Sequence, residues 1–141
     1  MSSLNPEQIS SLLRSAGTGA TVYLVGAGGC GMSGLAHLLL DSGYRVHGSD
    51  AVENEEILQL RARGAKLHIG HSREQLRKAA PVLLVYSPAI HAHNPELQLA
   101  GEMDLPIVRR ALLLAALVNA ERGICVAGMH GKTTTSALLA W

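Results

Sequence analysis

Short strand-like segments alternate with segments of helical periodicity along the chain. The strand-like runs lie at residues 22–25, 45–50, 65–69, 82–86, 105–108 and 124–127. Between them, apolar residues recur at helical spacing in the segments 32–40, 53–63, 72–79, 95–103 and 109–120. Strands that alternate with helices predict a parallel sheet covered on both faces. We therefore predict an α/β fold, a Rossmann-like doubly wound parallel sheet, with the loops that follow the strands along one edge.

A further helix is predicted before the first strand. Asn5-Pro6 is a helix start signal, and apolar residues follow it at helical spacing until the glycines that lead into the strand. We expect this helix to be peripheral. In the helix at 53–63, we expect Ile57, Leu58 and Leu60 to face inward.

The first strand leads directly into a glycine-rich turn and a helix. Gly26, Gly28 and Gly31 have the spacing G-x-G-x-x-G, in which the second glycine lets a diphosphate approach the backbone and the third lets the helix pack close to the strand. Backbone N–H groups and the positive end of the helix dipole then meet at one point, which suits a phosphate. Asp50 ends the second strand, where such folds place an acid over a ribose. A glycine-rich turn without a ligand is the alternative.

A second phosphate loop is predicted near the end of the chain, between a strand and the start of a helix. Gly128-Met-His-Gly-Lys-Thr-Thr-Thr135 matches the short form G-x-x-G-K-T-T of an ATP-binding loop. Lys132 can reach the β- and γ-phosphates and Thr133 can hold Mg²⁺ through its hydroxyl, so both are candidate catalytic residues. The predicted ATP-binding residues are Gly128, Met129, His130, Gly131, Lys132, Thr133 and Thr134.

Composition and charge exclude several classes of partner. The net charge is +1 and aromatic residues make up 3% of the chain, so we expect neither nucleic-acid binding nor association with a membrane. No basic leader with a cleavage site opens the chain, which predicts a cytoplasmic protein. Cys30 and Cys125 are the two cysteines, and they do not suggest a disulfide framework.

The two loops predict a division into domains. A complete ATPase needs further strands, and six residues follow Thr135, so we expect an N-terminal piece of a longer enzyme. We predict an N-terminal helix at 1–19, a Rossmann-like domain at 20–122 and the start of a central ATP-binding domain at 123–141.

A first glycine fingerprint followed about a hundred residues later by G-x-x-G-K-T-T resembles the Mur ligase family. Two positions depart from the family pattern, because Met129 stands where Thr is usual and Pro88 where Ser is frequent. The stretches that carry the resemblance are Val25–Ala36, Gly48–Asp50, Ser87–Glu96, Pro106–Ala111 and Ala127–Thr135.

The resemblance implies that the first domain binds a UDP-sugar, UDP-N-acetylmuramate, in place of a dinucleotide. Residues 28–32 would wrap its diphosphate, Asp50 would address the uridine, and His71 with residues 87–90 would line the side towards diphosphate and sugar. The implied UDP-sugar-binding residues are Gly28, Gly29, Cys30, Gly31, Met32, Ser49, Asp50, His71, Ser87, Pro88, Ala89 and Ile90.

The family's reaction is ATP-driven amide formation, with ATP and Mg²⁺ as the implied cofactors. The muramyl carboxylate takes the γ-phosphoryl group, and the amine of L-alanine attacks the acyl phosphate. The isolated chain is expected to bind the UDP-sugar and to catalyse nothing. Two alternatives stay open: a sister ligase that attaches a preformed peptide to the same sugar nucleotide in cell-wall recycling, and an NAD-binding Rossmann domain. The sequence predicts no oligomeric state.

Overall fold

The computed structural model describes residues 4–120, in which helices and parallel strands alternate. The strands are β1 (Thr21–Val25), β2 (Arg45–Asp50), β3 (Lys66–Ile69), β4 (Leu83–Tyr86) and β5 (Ile107–Arg109). The helices are α1 (Pro6–Ala16), α2 (Cys30–Asp41), α3 (Glu55–Ala62), α4 (Arg73–Ala79), α5 (Pro95–Glu102) and α6 (Arg110–Ala120). In this part of the chain no helix is long and apolar enough to cross a membrane. The sixth predicted strand and the helix after it lie outside the described residues.

The five strands form one parallel sheet in the order β3-β2-β1-β4-β5. Val22 of β1 is in register with Val46 of β2 on one side and with Leu83 of β4 on the other. The chain first extends the sheet from β1 to β3 and then returns to the other side of β1. In open α/β sheets a ligand crevice forms where the strand order reverses, beyond the carboxyl ends of the strands. The predicted α/β, Rossmann-like fold is therefore confirmed, and its crevice lies where β1 and β4 end.

Helices cover both faces of the sheet, as a doubly wound parallel sheet requires. Alternate residues of β1 enter opposite cores, with Val22 and Leu24 on one face and Tyr23 and Val25 on the other. The first core is closed by residues of α1, α2, α3 and α6, and the second by residues of α4 and α5.

Helix α1 belongs to the main core, so the expectation that it is peripheral is wrong. Ile9 is fully buried and Leu13 is 3% exposed, and both join the cluster that contains Leu113 of α6. The Ser10 hydroxyl also donates a hydrogen bond to the Ala116 carbonyl at 3.1 Å. After β5, the chain returns to this face of the sheet as α6, and α1 covers the apolar surface that α6 presents.

Helix α3 differs from its prediction at its start and on one face. The Asn54 side chain accepts a hydrogen bond from the Ile57 N–H at 3.0 Å and caps the helix, so the helix begins at Glu55 rather than at residue 53. Ile57 and Leu60 are fully buried, three positions apart on one face. Leu58 is 52% exposed, because its position is turned about 100° from that of Ile57 around the helix axis.

Candidate functional site

The glycine-rich turn after β1 is fixed to the end of β2 by backbone hydrogen bonds. The N–H groups of Gly26 and Ala27 both donate to the Ser49 carbonyl, at 2.8 and 3.0 Å. Gly26 has φ +88°, a conformation that favours glycine. The first helical hydrogen bond of α2 runs from the Ser33 N–H to the Gly29 carbonyl. The N–H groups of residues 30–32 therefore lack a carbonyl partner within the helix, as at any helix start, where such groups suit an anion.

Asp50 holds the middle of this turn. Its Oδ2 accepts from the Gly28 N–H at 2.8 Å, and its Oδ1 accepts from the Val52 N–H at 3.1 Å. The Asn54 amide donates to the Gly28 carbonyl at 3.0 Å, so both backbone groups of Gly28 have protein partners. A Cβ at Gly28 would lie 3.0 Å from Asp50 Oδ2, so a larger residue there would press on the carboxylate that holds the turn. The contact of Asp50 with uridine stays a prediction, and Asn54 is a site residue that the sequence analysis missed.

Gly31 makes room for an arginine from a distant part of the chain. A Cβ at Gly31 would overlap the Arg110 Nη1 atom and lie 2.9 Å from Cζ. The guanidinium at the start of α6 thus rests on the first turn of α2, in the space that the third glycine was expected to leave for helix–strand packing. It adds a positive charge to a helix N-terminus that already favours anions. Arg110 lies in the stretch Pro106–Ala111 that carries the family resemblance, but it was not among the predicted site residues.

The loop after β4 packs against the same glycine-rich turn. The Ser87 N–H donates to the Val25 carbonyl at 3.1 Å. A Cβ at Gly26 would lie 3.0 Å from Ser87 Cβ and 3.4 Å from Ile90 Cδ1. Pro88 and Ala89 are exposed at the rim. The structure therefore brings the predicted residues 87–90 next to the glycine turn.

His71, after β3, is held by a buried polar cluster. Its Nδ1 lies 2.9 Å from Glu96 Oε1 and 2.9 Å from the Ser49 hydroxyl, which itself donates to Glu96 Oε1 at 2.6 Å. The Tyr23 hydroxyl donates to Glu96 Oε2. Burial, and then the hydrogen bond to Glu96, raise the pKa of Tyr23 well above its ordinary value, so its phenol keeps the proton. Glu96 and Tyr23 were not among the predicted site residues.

Two open clefts flank the segment that follows β4. The cleft of about 570 Å³, the histidine cleft, is lined by Ala51, His71, Ala89, Ile90, His91, His93, Asn94 and Pro95. The cleft of about 760 Å³, the arginine cleft, is lined by Tyr86, Pro88, Ile90, Ala92, Leu97, Ile107, Arg109, Arg110 and Ala111. Ile90 borders both. Among the described residues, no three His, Cys, Asp or Glu side chains are grouped to hold a metal ion.

The predicted UDP-sugar residues thus converge on one edge of the sheet, but two of the side chains that the structure describes, Met32 and Ser49, point inward. Met32 is 1% exposed and belongs to the main core, so its contribution to a surface site is limited to its backbone. Ser49 is fully buried and is separated from the histidine cleft by His71. The predicted ATP-binding residues 128–134, with the catalytic candidates Lys132 and Thr133, lie outside the described residues.

Comparison with known proteins places this architecture in a family. The model of the Mur ligase family, catalytic domain, matches residues 21–122. The UDP-N-acetylmuramate–L-alanine ligase of Methylocella silvestris is 50% identical over 119 residues, which cover 84% of this chain and 25% of the relative. The chain therefore spans about a quarter of the length of this relative.

Solved structures agree with the family model. The UDP-N-acetylmuramate–alanine ligase of Thermotoga maritima superposes with a TM-score of 0.68 at 30% identity, over 72% of this chain and 23% of that protein. A murein peptide ligase from Psychrobacter arcticus gives 0.67 at 27% identity, over 87% and 26%. The family model alone covers more than half of the chain. The chain therefore belongs to the Mur ligase family.

Proposed function

We propose that this chain is the UDP-N-acetylmuramate-binding part of an ATP-dependent ligase that joins L-alanine to the muramyl carboxylate. The names of relatives that are up to 50% identical to the chain support this substrate and this acceptor. The structural observation that carries the binding role is the open start of α2, where the Arg110 guanidinium rests on Gly31. Helix N–H groups and a guanidinium at one point suit the two negative charges of a diphosphate.

The other contacts of the sugar nucleotide follow from the residues that surround the start of α2. With the diphosphate at residues 30–32, the uridine lies towards Asp50, whose oxygens keep acceptor capacity beyond the two bonds to Gly28 and Val52. The sugar then lies towards His71 and residues 87–90, beside the histidine cleft.

The chemical step belongs to the whole ligase. We propose that the muramyl carboxylate takes the γ-phosphoryl group of ATP, and that the amine of L-alanine attacks the acyl phosphate and releases phosphate. Lys132 would neutralise the transferred phosphoryl group and Thr133 would hold Mg²⁺, on the sequence pattern of their loop alone. This chain alone binds the sugar nucleotide without catalysis.

A second candidate is a murein peptide ligase, which shares the sugar nucleotide and attaches a peptide. The structure from Psychrobacter arcticus favours it with a TM-score of 0.67, close to the 0.68 of the alanine ligase. Identity favours the first candidate, since it is 27% for the peptide ligase structure and 50% for the alanine ligase of Methylocella silvestris.

Thermal unfolding of the 141-residue chain with a nucleotide panel tests the binding role. A ligand that binds only the folded state adds about 2.7 kcal/mol of stability at a hundred times its Kd, which raises the melting temperature by several degrees. We expect UDP-N-acetylmuramate to raise it most, UDP to raise it less, and NAD to leave it unchanged. Stabilisation by NAD without stabilisation by UDP-N-acetylmuramate would contradict both ligase candidates and favour a dinucleotide-binding domain.

A further inference from the structure

Glu96 is a fully buried carboxylate beneath the binding edge of the sheet, and the proposed function gives it no role. Burial of a carboxylate is costly unless hydrogen-bond donors surround it. Here Tyr23 donates to one oxygen, while the Ser49 hydroxyl and His71 Nδ1 both approach the other. The described residues place no lysine or arginine within ion-pair distance of Glu96.

With Glu96 ionised, the proton count of this cluster fixes the tautomer of His71. An ionised carboxylate only accepts hydrogen bonds, and each hydroxyl carries one proton. Tyr23 and Ser49 use their protons on Glu96, so Ser49 Oγ is left to accept. Both atoms close to His71 Nδ1, Glu96 Oε1 and Ser49 Oγ, are then acceptors at 2.9 Å. The proton shared with them must be carried by Nδ1.

The opposite edge of the ring faces the ligand side. The His71 side chain is 20% exposed whereas Glu96 is not exposed at all, so the Nδ1 edge points into the protein. His71 lines the histidine cleft, next to the loop of residues 87–90. The accessible nitrogen is therefore Nε2, on the far side of the ring from Glu96.

We propose that Glu96 is a positioning residue for the sugar nucleotide, which acts by fixing His71 as the Nδ1–H tautomer with Nε2 turned to the bound ligand. The proposal rests on the proposed function for its ligand. Its structural part, the orientation of the ring, does not. Ser49 serves the same purpose from β2, which explains a buried serine in a set of residues expected to touch the ligand.

Nitrogen-15 NMR of the histidine side chains in the 141-residue chain tests the orientation directly. At about pH 8, His71 should show a protonated Nδ1 and an unprotonated Nε2. Assignment comes from the spectrum of His71→Gln. In Glu96→Gln, whose amide can donate as well as accept, the single tautomer should be lost. An Nε2–H tautomer in the wild type would mean that Glu96 is protonated and donates to Nδ1, which overturns the proposal.

Calorimetric titration with UDP-N-acetylmuramate tests the consequence for binding. Loss of one oriented hydrogen bond to a charged ligand predicts an affinity about tenfold lower in Glu96→Gln. In a His71→Ala background the same substitution should cause no further loss, because the residue through which Glu96 acts is gone. Glu102→Gln is the matched control, since it makes the same chemical change on the same helix at an exposed site and should leave affinity unchanged.

The outcomes separate this inference from the proposed function. Wild-type affinity in Glu96→Gln, or an equal loss with and without His71, overturns the positioning role and leaves the ligand proposal intact. If the wild type does not bind UDP-N-acetylmuramate, the proposed function fails, and the tautomer alone then decides the inference. A Glu96→Gln chain that does not fold leaves the wild-type tautomer as the deciding measurement.

Discussion

The absence of one side chain decides what occupies the start of α2. At Gly31 the guanidinium of Arg110 fills the space where a Cβ would lie. Arg110 is contributed by the first turn of α6, 79 positions later in the chain (110 − 31). The site thus gains a charge that the glycine fingerprint does not encode, at the point where the helix dipole already attracts anions.

Gly31→Ala should separate the stability of the fold from anion binding. The clash falls on the end of a flexible side chain, and alanine favours a helix by about 1 kcal/mol over glycine, so the free energy of unfolding should change by less than about 1 kcal/mol. Displacement of the guanidinium should lower the affinity for UDP-N-acetylmuramate about tenfold by calorimetry.

Gly34→Ala is the control for this prediction. It lies in the same helix, and its added Cβ would have no neighbour within 4 Å, so it should bind as the wild type does. Arg110→Ala should match Gly31→Ala, and the double variant should be no weaker than either single one. Additive losses would show that the new methyl group obstructs the ligand independently of Arg110.

At the scale of elements, α1 is the helix that departs most from its predicted role. Ile9→Ala removes a fully buried side chain from the main core, so we expect a loss of about 2–5 kcal/mol in the free energy of unfolding by urea titration. Ser11→Ala on the exposed face of the same helix should change it by less than about 0.5 kcal/mol. Equal, small effects at both positions would mean that α1 frays without cost to the sheet, as a peripheral helix would.

The elements themselves were predictable because their signals are local. The helix caps Asn5, Ser72 and Asn94 each accept a backbone hydrogen bond in the first turn of their helices, as residues of these types at those positions indicate. The packing partners of the helices were less predictable. Periodicity predicts that α1 is amphipathic, but it does not predict which helix covers its apolar face. That helix is α6, which lies about a hundred residues later in the chain.

For the molecule as a whole, the sheet order explains which part of the candidate site could be predicted from the sequence. Loops that follow parallel strands meet at one edge, so the amino-acid sequence alone was enough to place Gly26, Asp50, His71 and Ser87 together. It did not single out Glu96 and Arg110, although each lies in the first turn of a helix that begins at this edge, because the sequence does not show which way a side chain at a helix start turns. Both residues lie in stretches that carry the family resemblance, but their contacts with Ser49 and Gly31 join distant parts of the chain, and periodicity does not show such pairings.

The stability of the whole fold should fall as the pH drops below about 6.5, the ordinary pKa of histidine. Burial lowers the pKa of His47 on β2, and the charges of Lys66, His68 and Arg45 lower it further. Burial also lowers the pKa of His68 on β3, more than the opposing charge of Glu96 raises it, and its buried Nε2 has no hydrogen-bond partner among the described residues. The unfolded chain then binds more protons than the folded one, so folding loses free energy as the pH falls through this range.

Urea unfolding at about pH 7.5 and about pH 5.5 measures this dependence, with full stability expected at the higher pH. The His47→Gln/His68→Gln double variant should show a flatter profile, whereas His93→Gln, at an exposed position, should keep the wild-type slope. The ion pair of Arg73 with Glu102 does not contribute in this window, because it lowers the pKa of Glu102 from 4.5 and is lost only in more acidic solution. A double variant with the wild-type slope would mean that other groups take up the protons on unfolding. His47 and His68 would then be charged in the folded sheet at the same pH as in the unfolded chain.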